Sequence, residues 1–93
     1  MPVVGRSEGI VRLRLEDGDH FTIPVRWREV ESSNIDMVGW DDSGNMYVRY
    51  KSGSVYAYLG VSRQRAVACA YHPSCGKYMA YRVKPKYLHV KIH

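Results

Sequence analysis

The chain has 93 residues, 45% of them hydrophobic and 25% charged, with a net charge of +5. That length supports one modest core and not two, and the composition excludes an intrinsically disordered chain. No apolar run approaches the roughly 20 residues a membrane-spanning helix needs, so a membrane protein of that kind is excluded as well.

The charge is unevenly divided. Residues 1–42 hold five Arg and nine Asp or Glu, whereas residues 43–93 hold nine Lys or Arg, no acid and all eight Tyr. A basic, tyrosine-bearing half of this kind is a candidate surface for a polyanion, set against the plainer reading of a solvated basic face over a tyrosine core. The opening residues, MPVVGRSEG, lack the charged-then-apolar order of a signal peptide, and two cysteines do not make a disulfide framework. Both features lead to the expectation of a reducing, cytoplasmic location.

In chain order, VRLRLEDGDHFTIPV alternates as a hairpin does, with Val11, Leu13 and Leu15 on one face. A three-residue loop, Glu16-Asp17-Gly18, sets Leu13 opposite Phe21 and Val11 opposite Ile23, which keeps the apolar residues together. A two-residue turn would shift the register and split them. A short strand is expected around Asp36–Asp41. MYVRYKSGSVYAY then repeats the hairpin pattern: Lys51-Ser52-Gly53 forms the loop, Val48 faces Tyr56 and Met46 faces Tyr58. Tyr47 and Arg49 are left on the outer side.

The period then changes. Ser62 is a good N-cap for the helix RQRAVACAY, with Ala66, Val67 and Ala70 toward the sheet and Arg63 and Arg65 near the exposed first turn. Pro73 disfavours a helical His72 and ends the helix. Ser74 is placed to cap a second short helix through CGKYMAYRV, which Pro85 stops. YLHVKI resumes alternation, with Leu88, Val90 and Ile92 on one face. The expected fold is a small, single-domain α+β protein: antiparallel β-hairpins, one or two short helices and a closing C-terminal strand.

Three blocks carry a family resemblance: SSNIDMVGWD (residues 32–41), MYVRYKSGSVYAYLGV (46–61) and SCGKYMAYRVKPKY (74–87). Their order resembles the KTSC domain, found at the C-terminus of some lysyl-tRNA synthetases and as short stand-alone bacterial and phage proteins. The motif residues here are Ser32, Ser33, Asn34, Tyr56, Tyr58, Ser74, Gly76 and Tyr78. The sequence departs from the family pattern at His72 and Ala80, where Ala and Asn are common. The resemblance divides the chain into an N-terminal β-hairpin extension, 1–29, and a KTSC-like domain, 30–93. For function it implies only proximity to RNA, through the synthetase context.

Cys69, His72 and Cys75 have a ligand-like spacing, but zinc wants four ligands and Pro73 breaks the helix that carries Cys69. A disulfide disagrees with the expected compartment, and a Cys–His nucleophile pair lacks an orienting acid or Asn apart from Asn45. One buried small thiol and one turn cysteine are the favoured reading. Asp36, Asp41 and Asp42 lack a matching base and read as turn and surface residues, and Ser32–Asn34 reads as organising the start of a strand. No catalytic residue, metal or cofactor is expected, and the protein is read as a non-enzymatic binding module.

The basic stretch KYMAYRVKPKYLHVKIH joins cations to ring platforms suited to phosphates and unpaired bases. The residues expected to touch nucleic acid are Arg63, Arg65, Lys77, Arg82, Lys84, Lys86 and Lys91. RNA or another single strand is the expected ligand, because no long recognition helix is available. The alternative is a protein-interaction module, such as a phage factor engaging a host protein. No membrane partner is expected, and the chain is expected to be a monomer or a homodimer.

Overall fold

A computed structural model describes residues 6–14 and 20–93. Its centre is one six-stranded antiparallel sheet in sequential order. The strands are β1 (Arg6–Arg14), β2 (His20–Glu29), β3 (Ile35–Trp40), β4 (Asn45–Tyr50), β5 (Val55–Leu59) and β6 (His89–Lys91). Helix α1 (Arg63–Tyr71) follows β5, and a short α2 (Cys75–Tyr78) runs into a π-helical turn, Met79–Val83. This is the small α+β architecture expected from the alternating patterns. No helix among the described residues is long and apolar enough to cross a membrane.

Both hairpin registers follow the side-chain alternation. Val11 pairs with Ile23 and Leu13 with Phe21, while Met46 pairs with Tyr58 and Val48 with Tyr56. The Glu16-Asp17-Gly18 loop itself lies outside the described residues. In the second hairpin the three-residue loop closes through Tyr50 N–H to Ser54 O at 2.8 Å and Gly53 N–H to Tyr50 O at 2.9 Å. Gly53 has φ 97°, a left-handed conformation that residues with a Cβ rarely adopt.

One main core lies on a single face of the sheet, with only a small apolar cluster on the other. Helix α1, α2 and the π-turn cover one face, burying Ile35, Val38, Trp40, Met46, Val48 and Tyr58 against Val61, Ala66, Cys69, Ala70, Cys75, Met79 and Val83. Val25, Tyr47 and Ala57 form a smaller cluster on the other face, joined by Ile23, Trp27 and Ile92. Tyr47 is therefore not on an outer surface, as the isolated hairpin pattern implied. β2 and β6 bring Val25, Trp27 and Ile92 over it and leave it 2% exposed. Leu88 and Val90 are 79% and 50% exposed, so the closing strand is an open edge.

Two local features fix how the layers meet. Between β3 and β4 the register shifts from Ile35↔Tyr50 to Met37↔Arg49, a bulge with one extra residue at Asp36. Strict alternation would put Ile35 on the face opposite Val38 and Trp40. The extra residue returns it to the helix-side core. At Gly39 a Cβ would come within 2.6 Å of Val25 Cγ1, 2.9 Å of Trp27 Cε3 and 3.0 Å of Arg26 O. Gly39→Ala is therefore expected to cost about 1–3 kcal/mol of stability, measurable as a fall of several degrees in the thermal midpoint. An unchanged midpoint would mean that β2 yields without cost.

Helix α1 starts where expected. Ser62 is extended, and its Oγ accepts from Arg65 N–H at 3.2 Å. His72, at φ −69° and ψ 138°, ends the helix in the conformation that a following proline favours. The residues α1 buries fully are Ala66, Cys69 and Ala70, with Val67 half-buried beside them. Ser74 precedes α2 but makes no side-chain capping bond.

Candidate nucleic-acid interface

The helical layer leaves part of its face of the sheet open, beyond the π-turn. Alternation and register put Tyr50, Tyr56, Tyr58 and His89 on that open part. Together with Ser33, Asn34, Lys51, Ser52, Ser54 and Lys84 they line an open cavity of about 610 Å³. The described residues lining it include two lysines and a histidine and no acid.

Its floor and walls are coupled rings. Tyr50 and Tyr58 share a hydroxyl hydrogen bond of 3.0 Å. The Tyr50 and Tyr56 rings meet edge to face at 5.7 Å, and His89 lies 5.8 Å from Tyr56 and 5.4 Å from Tyr58. Burial, then the bond to Tyr50, pushes the Tyr58 phenol well above its ordinary value, so it remains a neutral hydroxyl. Lys84 Nζ sits 5.5 Å from the centre of the Tyr50 ring, a cation–π distance that holds the ammonium at the rim. Lys91 pairs with Tyr56 in the register, which puts it on the same face. The cavity can therefore offer ring surfaces, hydroxyls and cations to one ligand.

The Ser-Ser-Asn segment forms the ridge between this cavity and a second depression of about 390 Å³. Ser32 Oγ accepts from Asn34 N–H at 3.3 Å and Ile35 N–H at 3.2 Å, and donates to Asn34 Oδ1 at 3.0 Å. Lys51 N–H then donates to Asn34 O at 2.9 Å, tying the ridge to the β4–β5 loop. The second depression also contains Ser74, Gly76 and Lys77. Gly76 lies against the ridge: a Cβ there would be 3.5 Å from Ser32 Oγ and 3.7 Å from Asn34 Oδ1, ordinary contact. The first and last blocks of the sequence motif thus meet in space, and Tyr56 and Tyr58 lie across the ridge from Gly76. Tyr78 takes a different place, half-buried, accepting from Arg65 Nη1 at 3.4 Å beside the His72 ring.

The seven basic residues expected at an interface do not gather in one site. Lys84 lines the large cavity and Lys77 the second depression. Arg63 lines a third depression with Trp40, Val67 and Tyr71. Arg65 is engaged with Tyr78, while Arg82 and Lys86 are exposed. The charge-based reading missed Tyr50, Lys51 and His89. Tyr50 was visible as the next same-face residue after Val48, but Lys51 and His89 are brought in only by the hairpin closure and the β5–β6 register.

The cysteines pack against each other. Cys69 and Cys75 are buried free thiols with Sγ atoms 3.5 Å apart. The hydrogen bond to Cys75, then burial, pushes the Cys69 thiol up. His72 Nδ1 accepts from Ser74 N–H at 2.9 Å. Among the described residues no three His, Cys, Asp or Glu side chains cluster as metal ligands. Both thiols are expected to react with a thiol reagent orders of magnitude faster in denaturant than in the folded protein; rapid labelling of the native chain would contradict this packing.

The fold and cavity define a small antiparallel α+β module with a basic, tyrosine-lined pocket beside a Ser-Ser-Asn ridge. Residues 31–87, more than half of the chain, match the KTSC domain, and the protein belongs to that family. A comparison with curated proteins finds no match. The matched segment begins after β2, so both strands of the first hairpin lie outside it, while β2 pairs with β3 in the same sheet.

Proposed function

We infer that this protein is a non-enzymatic module that binds single-stranded nucleic acid, RNA foremost, with the Tyr50–Tyr56–His89 cavity as the centre of the contact. The observation that carries this reading is the convergence of Lys51, Lys84 and His89 on tyrosine rings, with no acid among the described lining residues. Lysines neutralise phosphates, and partly exposed rings take unpaired bases without selecting among them. A cavity of about 610 Å³ is of a size that holds a drug-sized ligand, and one nucleotide unit falls in that class. The other expected cations, Lys77, Arg82, Lys86 and Lys91, do not line the cavity.

The test is titration of a fluorescein-labelled single-stranded RNA at several salt concentrations, followed by anisotropy. Binding that weakens steeply with salt supports the reading. No binding at low salt removes it.

A second reading, a protein-interaction module, is favoured by the open β6 edge. Leu59, Leu88 and Val90 are 42%, 79% and 50% exposed there, with Leu59 N–H donating to Leu88 O at 2.8 Å. An exposed edge carrying apolar side chains suits strand addition by a partner. Affinity capture with and without nuclease separates the two: partners lost on nuclease treatment favour the strand, and a single retained protein favours the edge.

A further inference from the structure

Two buried donors on one side of the helical layer have no acceptor among the described residues: Trp40 Nε1 and Arg28 Nε are both buried without a hydrogen-bond partner there. They belong to neighbouring strands, with Arg28 paired to Val38, two residues from Trp40 on the same face. Both meet Tyr71. The Arg28 guanidinium carbon lies 4.0 Å from the centre of the Tyr71 ring, and Trp40 and Tyr71 line one depression of about 230 Å³ with Arg63 and Val67. Arg26, next to Trp40 in the register, has an interaction of its own and is not counted.

Buried polar groups are almost always paired, and an unpaired donor beside a half-buried guanidinium is costly unless an acceptor arrives. We propose that the Trp40–Tyr71 depression is an oxyanion site that takes one phosphate group, held by Arg28, Trp40 Nε1 and Arg63. Two guanidinium groups and a neutral N–H match a tetrahedral group of charge near −2 better than a single carboxylate, which one arginine satisfies. Tyr71 is 51% exposed and Arg63 is exposed as well, so side-chain rotation at the rim admits the group without backbone movement. Arg28 lies outside the matched residues 31–87, so the site joins the first hairpin to the family domain. It does not depend on the tyrosine cavity, and its phosphate can come from a strand or from a small phosphate compound.

The experiment follows the indole N–H signals of the ¹⁵N-labelled protein, assigned with Trp27→Phe, while inorganic phosphate replaces chloride at constant ionic strength. A saturable shift of the Trp40 signal is expected, weakened tenfold or more in Arg28→Gln and in Arg63→Gln and unchanged in the control Arg49→Gln. No saturable shift, or an equal shift in the two arginine variants, overturns the site. Two further arms find the source. A shift with a 5′-phosphorylated oligoribonucleotide but not with its 5′-hydroxyl form assigns a strand terminus, and a shift with both assigns the strand backbone. A response to inorganic phosphate alone assigns a small phosphate compound. Loss of the site with RNA binding intact leaves the proposed function standing on the cavity.

Discussion

Replacing Lys51 and Lys84 together by glutamate is expected to weaken single-stranded RNA binding by on the order of 100-fold near 0.1 M salt. Both lysines stand at the tyrosine cavity. Each phosphate contact on a single strand contributes about 0.7 to the slope of log affinity against log salt, so removing two lowers the slope by about 1.4. At 0.1 M salt that alone is a loss of about 25-fold, and reversed charges at the rim repel the strand further. Lys51→Arg with Lys84→Arg should retain the slope, because phosphate steering needs the charge rather than the ammonium. The same reversal at Arg82 and Lys86, which lie outside the cavity, should cost much less. Equal losses at both pairs would point to a diffuse basic surface, and no loss at Lys51 and Lys84 would remove the cavity from the contact. Tyr56→Ala, measured in the same titration, tests stacking: loss of one base platform corresponds to about 1–3 kcal/mol.

Asp41→Ala is expected to remove about 3 kcal/mol of stability and to lower the thermal midpoint by roughly 15 °C. Asp41 is 5% exposed and accepts four hydrogen bonds. Three come from Ser43 N–H at 2.9 Å, Asn45 N–H at 2.9 Å and Asn45 Nδ2 at 3.1 Å, closing the β3–β4 turn. The fourth comes from the Tyr47 hydroxyl at 2.7 Å, which reaches across from the smaller core. Alanine would leave that buried phenol and the turn amides without their acceptor. Burial by itself raises the Asp41 carboxyl, but the donated bonds outweigh it and hold the group below its ordinary value. A depressed carboxyl adds stability that is fully present above its unfolded value near 3.8 and is lost as pH falls through the lower folded value. Urea unfolding across pH 2–7 should therefore show an acid limb that flattens in Asp41→Asn, which keeps one acceptor oxygen. An identical limb in the variant would assign the acid sensitivity elsewhere.

Much of this architecture could be read from pattern. Val11, Leu13, Phe21 and Ile23 alternate so that only one register keeps them together, and that register forms. Ser62 and Pro73 bracket α1 by cap chemistry and by the steric limit a proline sets on the residue before it. Local patterns could not say which strand would lie beside which. Tyr47 alternates like an outward residue in its own hairpin and is buried only because β2 brings Val25 and Trp27 across it. Strict alternation turns Ile35 away from Val38, and the bulge at Asp36 brings it back by one extra residue.

The candidate sites divide in the same way. Residue types alone marked the basic, tyrosine-rich half, because charge and ring chemistry are properties of composition, while the family resemblance marked Ser32–Asn34, Tyr56, Tyr58, Ser74, Gly76 and Tyr78. Placement was a tertiary matter. Lys77, Lys84 and Arg63 line three different depressions, since they follow from separate turns around the helical layer. Lys51 and His89 reach the cavity through hairpin closure and sheet register; β2–β3 pairing puts Arg28 on the face of Trp40, where it stacks on Tyr71 of α1. Strands, helix stops and the sign of the surface follow from residue types and from contacts within a few residues. Which cations share a site was decided only by the packed sheet, because pairing distant segments is a global compromise that no local pattern encodes.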